Sequence, residues 1–163
     1  MILVDSNLLL YAKFEDVPQH SRAKVWFEEQ LNGAARIGIP WQASLAFLRL
    51  ATNARVFARP LTIAAAWKQM LEWLDHPKVW IPEPTEEHAA VLGDLLLDAN
   101  VTGNLIADAH LAALAIEHGL TVCSADSDFA RFAGVSWLNP MTDDGTPPSR
   151  RPQSRRRHRQ RPN

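Results

Sequence analysis

Apolar residues come in two rhythms along this chain. Short unbroken runs read as buried strands, and longer stretches in which they return every third or fourth position read as amphipathic helices. Ile2, Leu3 and Val4 form the first run, closed by Asp5, and SNLLLYA follows at once as a helix with Ser6 or Asn7 as its cap. Residues 21–33 form the next helix, with Ser21 as N-cap, Val25 and Trp26 on one side, and Gly33 as its stop. A second strand over 35–40 leads into a helix over 41–53 with Leu45 and Leu48 along one stripe. Thr62 caps a helix that Pro77 ends, residues 78–84 are a third strand punctuated by proline, and Thr85 caps the helix that runs on to residue 100. VTGN breaks the pattern before a helix over 105–119, closed by Gly119. LTVCSAD is a fourth strand, 127–134 a short helix, and 135–139 a fifth strand.

Strands that alternate with helices need crossover connections, which predicts an α/β domain around a parallel sheet. The 163 residues suit one such domain, large enough to bury roughly two thirds of the surface its unfolded chain exposes. The folded body is expected over 1–140. From 141 to 163 the composition changes, and the stretch beyond Ser149 offers no apolar residue to a core, so this Arg-rich tail is expected to be disordered alone.

Charge follows the same division. The net charge of -1 conceals a body that carries all 18 acidic residues against 10 of the 17 Lys and Arg up to Gly145, a net of -8, with seven arginines beyond it. So acidic a body repels nucleic acid unless a cation or a local basic surface intervenes. The tail has the opposite sign and two readings, phosphate contacts that make RNA binding salt-dependent or an unselected extension. The single cysteine, Cys123, lies in an apolar run without a thiol partner, as suits a buried thiol in a reducing cytoplasm. No segment has the apolar length of a membrane span and the N-terminus lacks a basic leader, so a soluble, unexported protein is expected.

In open parallel sheets the functional crevice lies beyond the carboxyl ends of the strands. Asp5 closes the first strand and Asp126 follows the fourth, so both belong to that edge. Asp108 sits in LIADAHLAAL, a run so apolar that its charge needs water, a cation or hydrogen bonds. Asn104, four positions earlier, shares its helical face near the helix start, where free N–H groups favour phosphate. Asp128 either joins the group or points to solvent. Asp5 and Asp126 alone also read as cap or turn residues, whereas Asp108 lowers helix propensity without an obvious local gain, and carboxylates gathered in one crevice repel one another unless a divalent ion neutralises them. Oxygen donors without a His or Cys cluster suit Mg2+ or Mn2+, and such an ion supports metal-assisted hydrolysis of a phosphodiester.

Four stretches, MILVDSNLLLYA, IPWQASLAFLRLATNARVF, TGNLIADAHLAALAIEHG and TVCSADSDFARF, resemble the PIN-domain ribonucleases, and among them the VapC toxins of toxin-antitoxin pairs. The likeness covers about residues 1–140. It implies a three-layer α/β/α sandwich and a Mg2+-dependent endoribonuclease. Asp5, Asp108 and Asp126 match the family's metal-binding catalytic acids and Asp128 an accessory metal ligand. Asn7 and Ser124 stand as substrate or supporting contacts beside them. The resemblance also implies a VapB-like antitoxin and a homodimer, while cysteine usage and the lack of an apolar span point to a cytoplasmic protein without membrane contact. One family acid is missing, because text like LAELR reads LAFLR here, with Phe47 in place of glutamate and no acid between Glu29 and Glu72. That gap motivates an alternative, a non-catalytic PIN-like module that binds RNA or a partner.

Arg49 and Arg55 are candidates for phosphate contacts, and ion-paired surface residues otherwise. The six tryptophans fall mostly within expected elements and read as core or oligomer packing rather than base-stacking platforms. His110, two residues from Asp108 on a helix, points away from it and is not expected to be a ligand. A phosphotransfer receiver also carries aspartates beyond parallel strands, but the DxD after the first strand and the late lysine of that design are absent.

Overall fold

The computed structural model describes residues 1–99 and 101–142; the Arg-rich tail expected over 141–163 lies outside the described residues from position 143 onward. Its order is β1 (Ile2–Val4), α1 (Ser6–Lys13), α2 (His20–Asn32), β2 (Ile37–Gly38), α3 (Trp41–Ala51), α4 (Ile63–Leu74), β3 (Val79–Trp80), α5 (His88–Asp98), α6 (Leu105–Glu117), β4 (Thr121–Cys123), a 3-10 turn (Ser127–Arg131) and β5 (Ser136–Leu138). The five strands lie in the order β3-β2-β1-β4-β5, and every neighbouring pair is parallel.

The pleat of the sheet sorts its residues into two cores. Val4 and Cys123 point to one face, where α1 to α4 bury Leu8, Leu9, Phe27, Phe47, Met70 and Trp73 against them. Leu3 and Val122 point to the other, under Leu95 of α5 and the alanine- and leucine-rich side of α6. Both faces of the sheet are thus covered, which explains why its strands read as unbroken apolar runs rather than alternating ones. The three-layer α/β/α sandwich expected from the sequence is the observed architecture. Cys123 is fully buried, and burial pushes its thiol up to about 12.

The chain runs outward from β1 through β2 to β3, then crosses back to place β4 on the other flank of β1. Strand order therefore reverses between β1 and β4, where an open α/β sheet leaves a crevice at its carboxyl edge. Asp5 follows β1 and Asp126 follows β4, so the two flank that gap. The backbone N–H of Asp5 still donates to the carbonyl of Cys123 over 3.1 Å, which holds the two strand ends in register.

Helix entries differ from the expected caps in three places. Asp5, rather than Ser6 or Asn7, caps α1, because its carboxylate turns back onto the Ser6 N–H at 2.6 Å. Helix α2 starts at His20 behind Gln19, entered from a turn in which the His20 N–H donates to Val17, so Ser21 is already inside it. Helix α5 starts after Glu87; the N–H and hydroxyl of Thr85 donate to the carboxylate of Glu117, and its hydroxyl accepts only from the Glu87 N–H, short of the helix. Thr62 does cap α4, accepting from the Ala65 N–H. At the end of α6, Gly119 takes a positive φ of 62°, and the N–H groups of Gly119 and Leu120 close back onto the carbonyls of Ile116 and Ala115.

Candidate active site

An open cleft of about 1000 Å³ lies at the switch point, and Asp5, Asp108 and Asp126 all line it. Asn7, Asn104 and Arg49 share its walls, with Gln42, Ala43 and Ala46 of α3 opposite α6 residues that include His110. Asp5 is 7% exposed and is the only charged residue buried along its whole length, backbone included, among the described residues. Its Oδ1 accepts from the N–H and, at 3.2 Å, from the hydroxyl of Ser6. Oδ2 accepts from Nδ2 of Asn7 at 2.8 Å and from the hydroxyl of Ser124 at 2.7 Å.

Ser124 and Asn7 form the seam of the site. The Ser124 hydroxyl donates to Asp5 while accepting from Nδ2 of Asn7 at 2.9 Å and from the Asp126 N–H at 3.0 Å. Asn7 accepts in turn from the Ala125 N–H at 3.3 Å. The backbone of the fourth strand's end is pinned from behind, with Nε1 of Trp137 on the Ser124 carbonyl at 3.0 Å. Asp126 then caps the 3-10 turn, accepting from the Asp128 N–H at 2.9 Å.

Burial raises the Asp5 carboxyl above its ordinary value, and the nearby Asp126 adds to the rise, against the lowering pull of Ser124 and Ser6. Asp108, in the first turn of α6, is pushed up to about 6, first by desolvation and then by the charges of Asp5, Asp126 and Asp128. Asp5, Asp108 and Asp126 thus come together from three parts of the chain, with the charge of Asp128 close enough to act on Asp108, a repulsion that a cation relieves.

The sequence-derived residues separate into two groups. Asp5, Asp108, Asp126, Asn7, Asn104 and Arg49 meet at the cleft, and Ser124 supports it from beneath. Asp128 is not part of the lining; it sits half-exposed with Oδ1 3.5 Å from the Arg131 guanidinium. Arg55 is exposed outside the lining. Phe47, where the resemblance places a missing acid, is fully buried and meets the Trp73 ring edge-on at 5.1 Å. The cleft faces of α3 are carried by Ala43 and Ala46 instead. Of the tryptophans, Trp73 is core, Trp26, Trp80 and Trp137 are half-buried, and Trp41 and Trp67 stand exposed, at 43% and 41%.

One residue that sequence reasoning set aside belongs to the cleft. His110 lines it, and Nδ1 of its ring lies 2.9 Å from Nε2 of His88. Desolvation holds the His110 ring below its ordinary pKa, with His88 adding to the effect. The available signal was the seven-residue spacing between His110 and Glu117, two helical turns on one face.

Among the described residues, no three His, Cys, Asp or Glu side chains stand close enough together to form a ready-made metal site. The cleft carboxylates are arranged around it rather than gathered on one point. Their donor chemistry, oxygen only and mutually repelling, fits a hard divalent ion.

The family model for the PIN domain matches residues 2–135. Ribonuclease VapC37 of Mycobacterium tuberculosis is 44% identical over 140 residues, 86% of this chain and 97% of that protein. Ribonuclease VapC33 of the same species is 41% identical over 143 residues, 88% of this chain and the whole of that one. Among solved structures, VapBC2 of Rickettsia felis bound to a promoter DNA fragment superposes with a TM-score of 0.62 at 18% identity, over 85% of this chain and 98% of that one. VapC20 of Mycobacterium tuberculosis, a toxin that cleaves the sarcin-ricin loop, gives 0.60 at 17% identity, over 83% and 96%. At such identities the structural likeness speaks for the fold.

Proposed function

Because the chain belongs to the PIN domain family, among the VapC ribonucleases, we propose that it is a divalent-metal-dependent endoribonuclease and the toxin of a toxin-antitoxin pair. The observation that carries this reading is the convergence of Asp5, Asp108 and Asp126 on one cleft, with Asp108 pushed up to about 6 by burial and then by its acidic neighbours. Those three carboxylates would hold Mg2+ or Mn2+, with Asp128 supplying further negative charge from outside the lining. When bound, the ion screens the charge of a phosphodiester and makes water a better nucleophile at neutral pH.

The chain's own groups do the rest. Ser6, Asn7 and Ser124 donate to both oxygens of Asp5, which fixes its plane at the cleft wall. The positive end of the α6 dipole, beside Asn104, and the guanidinium of Arg49 suit backbone phosphates of an RNA strand. The hydrolysis needs no Ser, Cys or His nucleophile, and the absence of glutamate from position 47 removes nothing from the lining.

Relatives that share this fold carry VapB- or FitA-type partners in their structures, and an antitoxin of that kind is the proposed partner here. Helix α4 supports a protein contact, because Ile63, Trp67 and Leu71 rise along one face at 65%, 41% and 38% exposure. A homodimer and a cytoplasmic site of action complete the reading. No helix among the described residues is long and apolar enough to cross a membrane.

Incubating the purified protein with total bacterial RNA tests the proposal. Discrete cleavage with Mg2+ or Mn2+ that stops on chelation is the expected result. Retained RNA binding without cleavage under any metal would favour the non-catalytic module instead.

A further inference from the structure

His110 stands on the wall between two cavities. It lines the carboxylate cleft and also a smaller cavity of about 250 Å³, and Gln42 is the other lining residue the two share. Its ring is held from behind by a chain of contacts. Nδ1 of His110 meets Nε2 of His88 at 2.9 Å, and Nδ1 of His88 lies 2.5 Å from Oε1 of Glu117. Oε2 of Glu117 accepts both the N–H and the hydroxyl of Thr85 at 2.8 Å.

The side chain of Glu117 is 1% exposed and that of His88 14%. An ionised carboxylate only accepts, so His88 donates through Nδ1 and turns Nε2 toward His110. Whichever ring owns the proton between them, Nδ1 of His110 is occupied and Nε2 is left for an outside partner. No hydrogen bond joins that nitrogen to the described residues, and it is not among their buried unsatisfied atoms. The His88–Glu117 contact alone would tie α5 to α6. Extending it by one ring places His110 in the wall that both cavities share.

In the smaller cavity Pro40, Pro82, Pro84 and Leu114 form an apolar lining, Trp41, at the start of α3 and 43% exposed, contributes an indole, and Glu83 joins Gln42 and His110 as a polar lining residue. A site with an aromatic ring, apolar walls and a few polar side chains suits a flat ring with a polar edge. It adjoins a cleft whose carboxylates suit a phosphodiester.

We propose that the smaller cavity receives the nucleobase next to the scissile phosphodiester, stacked on Trp41 and contacted by His110, with His88 and Glu117 as positioning residues. This subsite rests on the ribonuclease reading above. It makes the cavity a determinant of which sequence is cut, and it explains a buried carboxylate that the hydrolysis itself does not use.

Binding and cleavage test the two levels separately. The full chain with Asp5→Asn is bound to a sequence-randomised RNA pool, and the bound RNA is sequenced. We expect enrichment of one base at one position, lost with Trp41→Ala and with His110→Ala, kept with Trp41→Phe, and weakened with Glu117→Gln. In the cleaving protein, Trp41→Ala raises KM for RNA about tenfold, the scale of one lost base stack, with kcat little changed. Enrichment that survives both alanine variants, or no enrichment at all, overturns the subsite. Absence of cleavage by the unsubstituted protein, with the base preference intact, instead overturns the ribonuclease reading and leaves the subsite standing.

Discussion

The hydroxyl of Ser124, at the end of β4, donates to Oδ2 of Asp5, at the end of β1, over 2.7 Å and across 119 positions of sequence. The same oxygen accepts from Asn7 and from the backbone of Asp126. One small side chain thus joins two of the cleft acids and the amide between them. Ser124→Ala leaves an amide and a backbone N–H without their acceptor, which costs on the order of 1 to 3 kcal/mol in thermal or denaturant unfolding. Loss of the Asp5 donor lowers metal affinity or cleavage about 10- to 100-fold.

Asp108 gives the site a pH signature in metal-free protein. Its folded carboxyl takes up a proton at about 6, above the ordinary 3.8, so ionisation weakens the fold. The penalty is complete above about 6 and disappears as the pH falls toward 3.8. Asp108→Asn therefore raises the melting temperature in chelator at pH 7.5 and changes it little at pH 4. The gain is on the order of 1 kcal/mol, because the half-exposed side chain is partly screened by water.

Restoring the family glutamate by sequence position does harm. Phe47→Glu puts a carboxylate among Trp73 and its core neighbours, an uncompensated buried charge with a cavity beside it, and lowers stability by more than about 3 kcal/mol. Ala46→Glu, on a half-buried position that lines the cleft, folds and tightens metal binding. Unfolding curves and metal titration of the two variants check this pair.

Arg49 lines the cleft at the last turn of α3 and is exposed. Arg49→Ala raises KM for RNA several-fold with kcat nearly unchanged. It also flattens the slope of log affinity against log salt by about 0.7 to 0.9, the contribution of one phosphate contact.

The sequence made the cleft acids legible because topology needs little detail. An aspartate behind each of two apolar runs belongs to one sheet edge wherever the helices fall, and Asp108 is conspicuous in its apolar helix. Asp128 was not separable by that logic, since a two-residue step past Asp126 decides between lining and solvent only once the turn's geometry is known. The cap positions failed for a related reason. Thr85 is a good local cap, but Glu117, 32 residues later, takes its hydroxyl and N–H. The same long-range contacts hid His110, whose partner His88 comes from another helix. Phe47 looked like a lost ligand because alignment by text carries no helical phase; its burial shows the phase directly.

Single-turnover cleavage of RNA in saturating Mg2+ by Asp5→Asn, Asp108→Asn, Asp126→Asn and Asp128→Asn, beside the unsubstituted chain, addresses the central claim most directly. The three variants at the cleft are expected to lose about a thousandfold or more in rate, the scale of losing a metal's contribution to catalysis, while Asp128→Asn loses about fivefold or less. Folded Asp5→Asn protein that cleaves as fast as the unsubstituted chain would contradict the account.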